Sequence, residues 1–120
     1  MTALASFADE DFCYLTTTGR VSGKAHTIEI WFALYGKTVY ILSGGGEKSD
    51  WVKNLRRLPD VTVRMRDHTF FGTARLLEDA QEDALARKLL LEKYTPRDSD
   101  DLTDWARTSL PVAIDSSKPI

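Results

Sequence analysis

The chain has 120 residues, one cysteine and a formal net charge of −2, with 42% hydrophobic and 28% charged residues. That length supports a single core and hence one domain over residues 1–120. The balance is that of a soluble globular protein, and its slight acidity argues against nucleic-acid binding, which rests on surplus Lys and Arg.

No run approaches the roughly 20 apolar residues of a membrane span, and the opening MTALASFADEDF lacks the charged and apolar regions of a secretory leader. A cytoplasmic protein is expected. Cys13 has no internal disulfide partner and sits in the apolar FCYL segment, so it is assigned to the core. His26 and His68 lack partners at metal-ligand spacing, and no metal site is expected.

In chain order, Phe12 to Thr17 reads as a short strand ending in the turn-rich Thr18 to Gly23. The next run alternates, with His26, Ile28, Ile30 and Phe32 on one face and Thr27, Glu29, Trp31 and Ala33 on the other. Glu29 lies among apolar residues and is expected to hold Arg20 or Lys24 or to face solvent. Gly36 and Lys37 make a tight turn into a strand from Thr38 to Leu42.

A helix from Asp50 to Leu58 would bury Trp51, Leu55 and Leu58, and Pro59 ends it. Val61, Val63 and Met65 alternate along another strand, and Asp67-His68 turns into a further one from Thr69 to Leu77. Asp79 and Glu82 have capping-box spacing before a helix that would bury Leu85, Leu89 and Tyr94 and stop before Pro96. A charged loop over 97–101, a short helix around 102–108 and a strand from Leu110 to Ile114 follow, with the tail from Asp115 expected to fray. About six short antiparallel strands with three helices favour an α+β fold built on a small barrel that closes its own edges.

The stretch SGGGEKSDWVKN, Ser43 to Asn54, carries the functional signal. Glycine amides approach a ligand closely, and the following helix start presents unpaired N–H groups and partial positive charge, so the segment suits a phosphate. It is no Walker A loop, because Glu47 stands before Lys48-Ser49 where that pattern needs glycine. Two readings are open: a cradle for a phosphorylated cofactor, or a flexible turn with Ser49 capping the helix.

From Leu15 to Met65 the sequence resembles the deazaflavin-dependent nitroreductase family of split β-barrel oxidoreductases. The resemblance is carried by Thr16 to Arg20, Ser22-Gly23, Ile30-Trp31-Phe32, Ser43 to Gly46, Trp51 to Leu55, Pro59, Val61-x-Val63, and the ending Trp105-x-Arg107-Thr108-x-Leu110-Pro111-Val112. It implies an antiparallel split β-barrel of the FMN-binding, pyridoxamine-phosphate-oxidase-like type with helices packed outside. The implied cofactor is the deazaflavin coenzyme F420, with FMN as the alternative. Its anionic tail would meet Arg20, Lys24, His26 and Thr27. Ser43, Gly44, Gly45, Lys48, Ser49 and Asn54 would complete the cradle, and the ring would lie along the Ile30-Trp31 backbone.

Three positions depart from the family's commonest pattern: Val21 and His26 stand where basic residues are frequent, and Gly44 where a lysine often follows the loop serine. Hydride chemistry belongs to such a cofactor, so no catalytic side chain is expected. Tyr94, Trp31 and Trp105 are the candidate substrate-pocket residues, although aromatics ending an apolar face also serve as packing. The implied activity is hydride transfer to a small planar quinone, enone or nitroaromatic. The alternatives are an FMN reductase of the same fold and a non-catalytic cofactor carrier. The resemblance also implies a homodimer.

Overall fold

The computed structural model describes residues 4–119, with side chains through Ser117. Its strands are β1 Cys13–Thr18, β2 Ala25–Ile30, β3 Ala33–Tyr35, β4 Thr38–Ser43, β5 Asp60–Met65, β6 His68–Leu76 and β7 Leu110–Pro119, and its α-helices are α1 Asp50–Arg57, α2 Ala80–Tyr94 and α3 Thr103–Thr108. The strands form one seven-stranded sheet in the order β2-β1-β5-β6-β7-β4-β3, antiparallel at every pairing. The two edges, β2 and β3, are consecutive in sequence and separated only by Trp31 and Phe32. A sheet whose edges are joined by so short a link must curl, and the result is a split β-barrel.

Alternation along the strands fills the interior. Cys13 and Leu15 of β1, Val39 and Ile41 of β4, Val61, Val63 and Met65 of β5, and Val112 and Ile114 of β7 are buried there with Phe32 and Leu55. A 3-10 turn at Leu4–Phe7 adds Leu4 and Phe7. A second apolar cluster lies outside the barrel, where Ala86, Leu90 and Tyr94 of α2 cover Ala33, Tyr40, Leu42 and Ala113. Burial raises the Cys13 thiol to about 12, which leaves it protonated and unreactive at neutral pH.

Several sequence expectations are corrected. There are seven strands where about six were expected, because the run from His26 to Ala33 breaks at Trp31-Phe32 to cross from one edge to the other. The fully buried stripe of α2 is Ala86, Leu90 and Tyr94, spaced by four, with Leu85 and Leu89 on its flanks. In α1 the buried residues are Val52, Asn54 and Leu55, while Leu58 has left the helix ahead of Pro59 and is exposed. The hairpin turn after β5 falls at 66–67, with Arg66 at φ 58°, because His68 already pairs with Met65.

The tail is also ordered: β7 continues to Pro119 along β6, with a register shift between Phe71 and Gly72. A Cβ on Gly72 would stand 2.5 Å from Ile114 Cγ2, so only glycine lets the strands meet there. Ile120, the last residue of that tail, lies outside the described residues. Among the described residues no helix is long and apolar enough to cross a membrane.

Candidate functional site: two clefts along one sheet edge

The turn joining β1 to β2 is closed by its own backbone. The Gly19 N–H donates to the Lys24 carbonyl at 2.8 Å, the Gly23 N–H donates to the Gly19 carbonyl at 2.9 Å, and Gly23 adopts φ 72°. A Cβ on Gly19 would stand 2.6 Å from Ser22 Oγ and 2.8 Å from His26 Nε2, so the bare backbone is what allows both side chains to converge.

Arg20 follows, and the buried Asn54 of α1 fixes it. Asn54 Oδ1 accepts from the Arg20 amide at 3.1 Å and from Arg20 Nη1 at 2.8 Å, while its Nδ2 reaches Thr17 Oγ1 at 3.4 Å. Asp50 approaches Arg20 Nη2 at 3.5 Å, and its own side chain is 86% exposed, so this ion pair is weak. Between turn, strand and helix opens a cleft of about 650 Å³, lined by Gly19 to Ser22, Ala25 to Ile28, Asp50, Trp51 and Asn54. Its polar lining is rich in donors, and the first turn of α1 faces it.

A second cleft of about 230 Å³ lies farther along β2, lined by Glu29, Ile30, Trp31, Leu42 and Trp105. Its walls are aromatic. Trp31 stacks flat on Tyr94 with ring centroids 4.2 Å apart and an interplanar angle of 3°, and Trp105 meets Trp31 edge-on at 5.5 Å. Such pairs add about 0.5–1.5 kcal/mol beyond area burial. The Tyr94 hydroxyl accepts from the Phe32 N–H at 3.0 Å and donates to the Asp11 carbonyl at 2.7 Å. Burial pushes it up to about 12, so it remains a neutral donor. Lys93 Nζ donates to the Phe32 carbonyl at 2.9 Å and lies 3.7 Å from the centre of the Phe32 ring. Burial, and then the nearby Arg97, push this amine down to about 8.

Arg20, His26, Thr27 and Asn54 therefore line the larger cleft, and Ile30, Trp31 and Trp105 the smaller one. Lys24 is exposed at the end of the turn and lines neither. The glycine loop stands apart as well. Ser43 Oγ donates to the Gly46 carbonyl at 3.0 Å and meets Ser49 Oγ at 2.9 Å, and Ser49 fills the space beside Gly45. Gly44, Gly45 and Lys48 are exposed and border neither cleft. Ser49 occupies the N-cap position of α1 without a side-chain cap bond, its hydroxyl being turned to Ser43. Tyr94 is fully buried behind Trp31 and lines neither cleft. Glu29 hydrogen-bonds Tyr14 at 3.3 Å rather than Arg20 or Lys24.

Sequence reasoning missed Ser22, Asp50 and Trp51 in the larger cleft and Leu42 in the smaller. The signal for the first three was available. The start of α1 was expected to face an anion beside the glycines, and Asp50 and Trp51 line a cleft with the turn after β1 that the glycines do not border.

A family model described as F420H(2)-dependent quinone reductase matches residues 3–117. Comparison with curated proteins yields no match. A solved structure described as an F420-H2 dependent reductase (FDR-A) is 26% identical with a TM-score of 0.70, covering 88% of this chain and 94% of its own. The conserved hypothetical protein Rv2991 from Mycobacterium tuberculosis is 21% identical with a TM-score of 0.75, covering 99% of this chain and 83% of its own. A FAD-binding protein from Mesorhizobium loti is 14% identical with a TM-score of 0.71, covering 99% of this chain and 90% of its own. The last two likenesses bear on the fold alone, and they agree with the split barrel.

Proposed function

We propose, for a chain that belongs to the F420H(2)-dependent quinone reductase family, that its two clefts form one continuous cofactor and substrate site along the edge of β2. The protein is an F420-dependent oxidoreductase, and coenzyme F420 rather than FMN is its cofactor. One observation carries the placement: β2 has β1 on one side and no strand on the other, and both clefts are lined by its residues. Backbone groups on that free side have no partner in the sheet and are available to a ligand.

The residues fit the group. From Ala25 to Ile30 the strand runs about 17 Å at 3.3 Å per residue, enough to serve an elongated ligand with different chemistry at each end. At one end Arg20, Ser22, His26, Thr27 and the first turn of α1 suit an anionic tail, and Gly19 lets its backbone come close. At the other, two indoles and the Ile30-Trp31 backbone suit a flat ring.

When bound, reduced F420 supplies a hydride. The chain's own residues bind and orient. Asn54 holds the Arg20 guanidinium toward the cleft, where a charge-assisted bond to an anion contributes about 1.5–3 kcal/mol. Trp31 and Trp105 offer a flat acceptor an apolar platform and shed water from it. Of the acceptor classes considered, a quinone is preferred. Hydride addition gives a hydroquinone anion that takes one proton, which solvent supplies at the rim of the smaller cleft, where Glu29 is exposed. No positioned general acid is needed, since a phenolate is protonated by water near neutral pH.

The exposed Phe12 and Phe71 lie on the side of the sheet that carries Tyr14 and Arg64, and this apolar patch supports a homodimer. The free thiol of Cys13 suits a reducing, cytoplasmic setting, with residues 1–120 acting as one domain.

The test is a fluorescence titration with F420 and FMN, followed by oxidation of reduced F420 with a quinone, an enone and a nitroaromatic. F420 is expected to bind tighter and the quinone to react fastest. Arg20→Met should weaken F420 about tenfold and Lys48→Met less than about twofold. Equal losses would return the tail to the glycine loop, and binding without turnover of any acceptor would make the protein a carrier.

A further inference from the structure

The C-terminal end of α2 reaches across to the two residues that join the sheet edges. Trp31 and Phe32 belong to neither strand, so their backbone groups are left without ladder partners. Two side chains of α2 engage those of Phe32. The Tyr94 hydroxyl accepts from its N–H at 3.0 Å, and Lys93 Nζ donates to its carbonyl at 2.9 Å. The same two residues hold the rings of Trp31 and Phe32. Tyr94 stacks flat against Trp31 at 4.2 Å, and the Lys93 ammonium lies 3.7 Å from the Phe32 ring centre. Tyr94 also donates to the Asp11 carbonyl at 2.7 Å, which ties the crossover to the segment entering β1.

The geometry points to Lys93 and Tyr94 as positioning residues. They fix the crossover at 31–32 and thereby set the plane of the Trp31 indole and the course of the Ile30-Trp31 backbone in the smaller cleft. Neither lines that cleft, so they act through Trp31 rather than on the acceptor. This rests on the proposed placement of ring and acceptor along β2, which the assays below test separately.

The alternatives carry less. Tyr94 as a substrate contact is opposed by its 1% exposure and by a hydroxyl already bonded on both sides. General stabilisation would need no engagement of both backbone polar groups of a single residue. It would also be shared by Arg97, three residues beyond the helix, which bonds the Asp11 carboxylate at 2.7 Å without touching the crossover.

Tyr94→Phe keeps the stacked ring and removes only the hydroxyl, and Arg97→Gln serves as the neighbouring control. In unliganded protein, Tyr94→Phe should raise hydrogen exchange at the Phe32 amide at least tenfold and weaken the near-UV circular dichroism of the Trp31–Tyr94 stack, while Arg97→Gln leaves the Phe32 exchange unchanged. With a quinone acceptor, Tyr94→Phe should lower kcat/KM about tenfold with F420 affinity changed less than threefold. Lys93→Met should act in the same direction and Lys93→Arg should restore activity.

An unchanged Phe32 exchange rate in Tyr94→Phe, or equal effects from Arg97→Gln, overturns the positioning role. Failure of wild-type protein to bind F420 overturns the cofactor placement instead, and a faster-exchanging Phe32 in Tyr94→Phe would then still establish the hold on the crossover. Should Tyr94→Phe fail to fold, the Lys93→Met and Lys93→Arg pair decides by the same readouts.

Discussion

Asn54 separates stability from ligand affinity, because one buried amide serves both. It is 5% exposed, and its oxygen takes two bonds from Arg20. Asn54→Ala removes a bond from a charged donor, about 1.5–3 kcal/mol, and one from a backbone amide, about 0.5–1.5 kcal/mol, so stability should fall by about 2–4 kcal/mol. At this chain length that is a loss in Tm of about 10 °C. Asn54→Asp has nearly the same shape and keeps both acceptors, and the Thr17 hydroxyl can rotate to donate to it. Its stability should stay within about 1 kcal/mol of wild type. The new carboxylate neutralises Arg20, however, so the charge-assisted contact with an anionic tail is lost and F420 should bind about 10- to 100-fold more weakly. Thermal unfolding and fluorescence titration of both variants make the assay. Wild-type affinity in Asn54→Asp would mean that Arg20 does not meet the tail. Wild-type stability in Asn54→Ala would mean that the Arg20 bonds do not matter to the fold.

Three further outcomes follow from the packing and the charges. Arg75 bonds Glu82 and Asp115, each at 2.7 Å, and chiefly through Arg75 both carboxylates are held below their ordinary values of 4.5 and 3.8. Their contribution is complete above those values and is lost as pH falls through the lowered ones; acid unfolding of Arg75→Met should therefore lack that component, and an unchanged pH profile would refute it. Lys93 gives a slope of the same sign in the alkaline range, because its folded value is lowered as well. Between about 8 and its ordinary 10.5 the unfolded chain holds a proton that the folded chain does not, so stability should rise with pH there, and Lys93→Met should flatten the rise in a series of denaturant melts. Gly72→Ala would press a methyl group to 2.5 Å from Ile114 Cγ2 and 3.2 Å from the Asp115 carbonyl, and should cost about 1–3 kcal/mol by urea unfolding.

Period-two alternation made β5 legible, while β1 and β4 were legible as short β-rich runs bounded by turns, and the N-cap expected at Asp79 is formed, its carboxylate accepting the Glu82 amide at 2.8 Å. The matching half of that capping box was not. Glu82 turns its carboxylate to Arg75 and Tyr40 instead, an outcome set by a strand pairing that local spacing does not contain. The buried stripe of α2 was misread by one position because Leu85 and Leu89 are larger than Ala86, and size masked the even spacing that α2 uses to lie close to the sheet. The tail was expected to fray on composition alone, while its order comes from β6 beside it.

The candidate site shows the same division between local and long-range information. Chain order put the glycines next to the helix start, and that proximity was taken for a shared pocket. In three dimensions the start of α1 instead faces the turn after β1, brought to it by Asn54 and Arg20 across 34 positions of sequence. The run from His26 to Ala33 reads as one strand because its alternation never lapses, yet it must break if the same chain is to form both edges of a curled sheet. A continuous strand would have extended one edge and left β4 without β3. The break instead leaves one side of β2 without a strand partner and sets Trp31 at its end, which is the arrangement the proposed placement of a long, flat, anionic ligand uses. The proposed site is thus a consequence of how the barrel closes, and substitutions that loosen the crossover should lower turnover before they damage the fold.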